Sequence, residues 1–117
     1  MNNRSTRIGD GICCGDDALS RRFSALAHPA RIAILRHLSG VEACCCKDVV
    51  GRLHLAQSTV SQHLKVLLDA GLVRVRHVGQ SSHYMVDREA LRQTRLAAAD
   101  MLDACAGGIG GRKMTTN

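Results

Sequence analysis

An α+β, mostly helical fold of five helices and one two-stranded β-hairpin is predicted by three observations. Apolar residues recur at helical spacing in four runs before residue 70. The period then drops to two across residues 73–78, and a Gly-Gln-Ser turn follows. Helical spacing returns in a final segment from about residue 87. The chain has 117 residues, which suits one domain. A domain of this size buries only about two-thirds of its unfolded surface, so assembly with a second copy would help it.

Residues 1–15 are polar, with Gly9, Gly11 and Gly15, and are expected to be a flexible arm bearing Cys13 and Cys14. The folded domain is expected over residues 16–106. Asp16 and Asp17 offer a cap and first-turn negative charge to the first helix, whose face is Leu19, Phe23 and Leu26. His28-Pro29 stops that helix, and Pro29 suits the first position of the next. Ile32, Leu35 and Leu38 mark the second helix, which ends near Ser39-Gly40. Residues 41–46 read as a connector. Residues 47–54 form a short third helix with Val49, Val50 and Leu53 inward. Ser58 is the expected cap of a fourth helix with Val60, Leu64, Leu67 and Leu68 inside, and Gly71 supplies its left-handed end. The hairpin pairs residues 73–78 with 83–86 through a turn at 79–81. The fifth helix, from about Asp87 to Cys105, carries Leu91, Ala98, Leu102 and Cys105 along one side. Residues 107–117 are glycine-rich and polar and are expected to be a disordered tail.

Lysine and arginine number 16 against 10 aspartates and glutamates, a formal charge of +6 that favours an anionic partner. Apolar residues make up 45%, too many for an intrinsically disordered chain. With one Phe, one Tyr and no Trp, a single-strand binder that stacks bases on aromatic platforms is not expected. No run approaches the roughly 20 apolar residues of a membrane span. Residues 1–10 lack the apolar stretch of a secretory signal, so the reducing cytoplasm is the expected compartment.

Two short helices joined by a tight turn, followed by a basic hairpin, make the layout of a winged helix-turn-helix. The fourth helix is then the recognition helix, and double-stranded DNA the partner. Its outer face carries Gln57, Ser58, Thr59, Ser61, Gln62, His63 and Lys65. Gln62 suits adenine, the hydroxyls suit phosphates or base edges, and Lys65 with the helix start suits phosphate. Arg74, Arg76, His77 and His83 give the hairpin a positive surface for the backbone or minor groove.

Six cysteines stand at positions 13, 14, 44, 45, 46 and 105. Five adjoin another cysteine, a poor arrangement for disulfides. In a reducing compartment, clustered thiols read as metal or redox sites. Cys13, Cys14, Cys44, Cys45 and Cys46 lie in or beside expected loops, where a buried thiol has no packing task. Cys105, on an apolar stripe, reads as a small buried hydrophobe.

The stretch Ala25-Leu-Ala-His-Pro-Ala-Arg-Ile-Ala-Ile-Leu35 resembles the second-helix signature of the ArsR/SmtB metalloregulators. Leu55-Ala-Gln-Ser-Thr-Val-Ser-Gln-His-Leu64 resembles their recognition-helix signature, and Ala70-Gly-Leu-Val73 before a hairpin completes it. The resemblance covers residues 17–105. It implies a homodimeric repressor with its interface on the first and fifth helices, released from its operator when a ligand binds. Arsenic-sensing members often carry Cys-x-Cys at the start of the third helix. Here the first of those positions is Cys45 and the second is Lys47, so the chain departs from that pattern and offers Cys44 and Cys46 instead. Other members use a vicinal pair in the arm plus a cysteine near the third helix, which Cys13 and Cys14 match in kind. The fifth helix lacks the Asp/His pattern of zinc-sensing relatives.

Three soft thiolates suit As(III) or Sb(III), so one of these is the expected inducer, with no organic cofactor. Adjacent thiols diverge on a regular helix, so joint use of Cys45 and Cys46 requires an extended or unwound helix start. A thiol redox or persulfide switch and a Zn(II) site are the alternatives on the same scaffold. An enzyme is not expected. Cys46 and Arg52 have the Cys-x5-Arg spacing of phosphatase and arsenate-reductase loops, but the intervening residues follow a helical pattern with one glycine and no preceding strand.

Overall fold

The computed structural model describes residues 14–107, Cys14 by its backbone alone. The elements run α1 (Cys14–Leu26), α2 (Pro29–Ser39), β1 (Cys44–Cys45), α3 (Cys46–Leu53), α4 (Gln57–Asp69), β2 (Val73–Val78), β3 (Ser81–Val86) and α5 (Arg88–Gly107). The five helices and the hairpin are those the periodicity predicts. The expected arm and tail fall outside the described residues, apart from their inner edges at 14–15 and 107.

The sheet differs from a two-stranded hairpin. It has three antiparallel strands in the order β1-β3-β2. Cys44 lies opposite Tyr84 and Cys45 opposite His83, so part of the expected connector is an edge strand on the wing. A two-residue strand has no periodicity of its own; its partner, some 40 positions along the chain, creates it.

Helix ends follow local chemistry. His28 caps α2, its Nδ1 accepting from the Ala30 N–H at 3.0 Å, with Pro29 in the first turn. Asp87 does the same for α5, accepting from the Ala90 N–H at 3.0 Å. The α4 start corrects an expectation: Ala56 is the N-cap, without a side-chain bond, and Ser58 lies inside the first turn. The Val60 N–H reaches the Ala56 carbonyl at 3.0 Å, and complete burial of Val60 fixes that phase. At the other end Gly71 has φ +79°. Its N–H bonds to the Leu68 carbonyl at 2.9 Å and that of Leu72 to the Leu67 carbonyl at 3.0 Å, a Schellman termination.

The core gathers Ile34 and Leu38 of α2, Val49 of α3, Val60, Leu64 and Leu67 of α4, and Leu72, Val73 and Val86 around the sheet. The inner stripe of α2 is rotated from expectation: Ile34 is fully buried and Ile32 is 40% exposed. Cys44 enters the core from β1, so a thiol expected in a loop does have a packing role. Cys105 is exposed on α5 rather than buried. No described helix is long and apolar enough to cross a membrane.

Candidate nucleic-acid interface and thiol segment

The outer face of α4 presents Gln57, Ser58, Ser61, Gln62 and Lys65 to solvent, with Thr59 half-buried beside them. These side chains follow from the burial of Val60, Leu64 and Leu67, because one buried stripe on a helix leaves the opposite side free. Lys65 Nζ lies 3.4 Å from Asp69 Oδ2 one turn on. Both are well exposed, and such a pair contributes little, so Lys65 remains available to a phosphate.

His63 is placed differently from the other α4 candidates. It is half-buried, its ring centred 4.5 Å from that of His28. Its Nδ1 lies 3.3 Å from Arg31 Nη1. A guanidinium only donates, so His63 accepts there. Burial, and then the charges of His28 and Arg31, hold His63 below the ordinary imidazole value. Arg31 also donates from Nε to the Ala25 carbonyl at 2.7 Å and from Nη2 to the Ser24 carbonyl at 3.3 Å, so it fastens the end of α1 to α4.

On the wing, Arg74, Arg76 and His77 are exposed and His83 is half-buried. His77 Nδ1 and Ser82 Oγ lie 3.0 Å apart across the hairpin. His83 is opposite Arg76 on one side and Cys45 on the other. Directly opposed residues share a face, so Arg76, His83 and Cys45 form one row across the sheet. Cys44, Tyr84 and Val75 form the row on the other face, toward the core.

The three adjacent thiols therefore diverge. Cys44 is 5% exposed, with Sγ 3.4 Å from His37 Nε2. Burial first, then the charges of Asp48 and its neighbouring cysteines, push its pKa up to about 11. Cys45 is the N-cap of α3, extended at φ −84°, ψ 164°. Its Sγ donates to Asp48 Oδ2 at 3.4 Å. Cys46 opens α3, with Sγ 3.7 Å from Ser61 Oγ. The extended helix start that joint use of Cys45 and Cys46 requires is thus present at Cys45. A cleft of about 340 Å³ beside them is lined by His37, Val41, Cys44, Asp48 and Arg52 among others. Among the described residues no three His, Cys, Asp or Glu side chains stand together so as to hold a metal ion. Cys13 and the Cys14 side chain lie outside the described residues. Residues 46–52 of the Cys-x5-Arg spacing lie within α3 and form no phosphate-cradling loop.

One residue that the sequence reading assigned no role stands out. Arg22 on α1 donates from Nε to the Ala70 carbonyl at 3.3 Å. Its Nη1 donates to the Ala90 carbonyl at 3.4 Å and to Thr94 Oγ1 at 3.1 Å. It joins α1 to the end of α4 and the start of α5. Nothing in the local sequence marks it, because all its partners are at least 48 positions away.

A family model described as bacterial regulatory protein, arsR family, matches residues 28–75, from the α2 cap into β2. An arsenical resistance operon repressor of Staphylococcus xylosus is 37% identical over 73 residues, 62% of this chain and 69% of that protein. The HTH-type transcriptional repressor SmtB of Mycobacterium tuberculosis is 41% identical over 68 residues, 58% of this chain and half of that protein's length. Among solved structures, an ArsR-like transcriptional regulator from Rhodococcus sp. RHA1 shares the fold with a TM-score of 0.66 and 24% identity, covering 86% of this chain and all of that one. With a recognition helix, a basic wing and these relatives together, the chain belongs to the ArsR/SmtB family of winged helix-turn-helix transcriptional repressors, which are DNA-binding regulators and not enzymes.

Proposed function

We propose that this repressor binds operator DNA as a homodimer in the cytoplasm and lets go when As(III) or Sb(III) is held by cysteine thiolates. The observation that carries the reading is the position of residues 44–46. Cys44 and Cys45 form an edge strand hydrogen-bonded to the wing, and Cys46 directly opens α3, the first helix of the DNA-reading pair. A ligand that draws these thiols together acts on both reading elements at once.

On the DNA side, Gln57, Ser58, Thr59, Ser61, Gln62 and Lys65 of α4 meet the major groove, and Arg76 and His83 meet the flanking backbone. The half-buried His63 serves by holding α4 against α1 and α2. On the ligand side the donors are chemically right, since thiols are soft and Cys44, Cys45, Cys46 and Cys105 are free. Cys45 and Cys46 supply the accessible sulfurs of this segment, with Cys13 or Cys14, the latter the first residue of α1, completing a three-sulfur set. Cys44 is the weakest donor, protonated and facing the core. The Staphylococcus xylosus relative, named for arsenical resistance, supports this choice of inducer. Reduced thiols require a reducing compartment, which favours the cytoplasm.

The test is operator release followed by fluorescence anisotropy, titrating arsenite, antimonite, Zn(II) and hydrogen peroxide in parallel. Arsenite and antimonite are expected to release DNA from the wild type and to fail on a Cys13→Ser/Cys14→Ser double variant that still binds the operator. Full release from that variant removes the arm from the site. Release by Zn(II) or peroxide alone overturns the metalloid reading.

A further inference from the structure

Among the described residues the side-chain partners of the adjacent thiols lie in three separate directions, and one of them is on α4. Cys44 Sγ turns inward to His37, and Cys45 Sγ meets Asp48 of its own helix. Cys46 Sγ lies 3.7 Å from Ser61 Oγ, on the face of α4 turned to solvent. The thiol is half-buried and the hydroxyl exposed, so a ligand has access to the sulfur and DNA to the hydroxyl. The segment just before Cys46 is held in place, because Cys45 is paired with His83 on the wing. A change at the Cys46 sulfur is therefore not absorbed by a loose connector.

We infer that Ser61 is a positioning residue that reads the chemical state of Cys46 and conveys it to the DNA. The identity of the ligand rests on the metalloid reading above; the contact does not. A thiol carries one proton, and Ser61 has one proton and two lone pairs. While Cys46 is a thiol, Ser61 accepts from S–H and turns its own O–H outward to a phosphate or base. When the sulfur bonds to arsenous acid, an As–S bond forms and an As–O bond breaks. The thiol proton leaves with the hydroxyl as water, and no electrons are transferred. The sulfur then has no proton to give. Ser61 can only donate to it, and its O–H is drawn from the DNA-facing side. Of the three adjacent sulfurs, Cys46 is thus the one whose occupation α4 senses directly.

The experiment measures operator affinity by anisotropy with and without arsenite, with loading followed separately by thiolate-to-arsenic absorbance. Allosteric couplings between two sites typically amount to roughly 5–150-fold. In Ser61→Ala, loading is expected at wild-type arsenite concentrations, but the ratio of loaded to unloaded Kd falls about threefold or more. Ser61→Thr, which keeps the hydroxyl, retains the wild-type ratio. A wild-type ratio in fully loaded Ser61→Ala overturns the inference. If arsenite fails to load the wild type, the metalloid reading fails and a second arm decides this one. The same arm decides if Ser61→Ala binds operator too weakly to titrate. Proteins with a single cysteine at 45 or at 46, the others replaced by alanine, are methylthiolated with methyl methanethiosulfonate. Modification at Cys46 is expected to weaken operator binding about tenfold more than modification at Cys45, within the range of such couplings. Equal losses at the two positions overturn the inference.

Discussion

His63 and Cys44 show how burial changes what a residue offers. The ring of His63 faces His28 and Arg31, and a proton on it is disfavoured by burial most, then by the electrostatic influence of His28 and Arg31. The folded state therefore binds this proton less readily than the unfolded chain, whose imidazole titrates near 6.5. Stability from this source is fully present above that value and is lost as pH falls through it toward the lowered folded value. Thermal unfolding between pH 7.5 and 5.5 should show a falling Tm in the wild type and a shallower fall in His63→Gln. Parallel curves would remove His63 from the acid response. Cys44 moves the other way. A thiol raised from 9.0 to about 11 holds roughly a hundredfold less thiolate near neutral pH. In a timed iodoacetamide reaction at pH 7.5 read by mass spectrometry, of the four cysteines with described side chains Cys105 should label first and Cys44 last. Early labelling of Cys44 would show that β1 opens readily from the wing.

Among the elements, α4 is held at its C-terminal end both by a local turn and by a side chain far away in sequence. Its last turn closes on Gly71, where a positive φ favours glycine. Arg22 caps that turn through the Ala70 carbonyl while also holding the start of α5. A cation at a helix C-terminus is favourable, and the guanidinium has several donors with which to serve three acceptors at once. Arg22→Met leaves those partly buried acceptors short of donors and should destabilise by about 1–3 kcal/mol in urea unfolding. Arg22→Lys, with one compact ammonium group, should recover only part of that. Because Arg22 is remote from the outer face of α4, its loss should weaken operator binding without changing the salt slope. Lys65→Ala should instead lower that slope by about one, the mark of a lost phosphate contact. Identical slopes for Lys65→Ala and wild type would exclude that contact.

At the scale of the whole molecule, the described chain is extended. Its radius of gyration is 17.4 Å, against about 13 Å for a compact domain of 100 residues. Large apolar side chains are exposed on the two outer helices: Phe23 at 38%, Leu96 at 45% and Leu102 at 56%. A second copy packed along α1 and α5 would cover them. Leu102→Glu should then shift the protein toward monomer in sedimentation and weaken operator binding in parallel. A wild-type sedimentation coefficient for Leu102→Glu would place the interface elsewhere. In such a dimer the two α4 helices should address half-sites about 34 Å apart, one turn of DNA, or a multiple of that.

Periodicity made the five helices and the hairpin legible, because burial of one face imposes a repeat of 3.6 or 2 on the chain. The outer face of α4 was legible for the same reason: once Val60, Leu64 and Leu67 are inside, Gln57, Ser61, Gln62 and Lys65 must be out. The apolar count within α2 fixed the helix but not its rotation. Ile32 and Ile34 are alike in chemistry, and only packing against α4 and the sheet put Ile34 inside. The tertiary structure alone decided what the adjacent cysteines do. Pairing with β3 turns residues 44 and 45 into a strand, and strand alternation then sends Cys44 to the core and Cys45 to the outer row. The helix that begins at Cys46 aims the third sulfur at Ser61. Three identical residues in a row carry no signal that separates them; pairing with β3, some 40 positions later, and the start of α3 send one sulfur back to His37, one to Asp48 and one to Ser61.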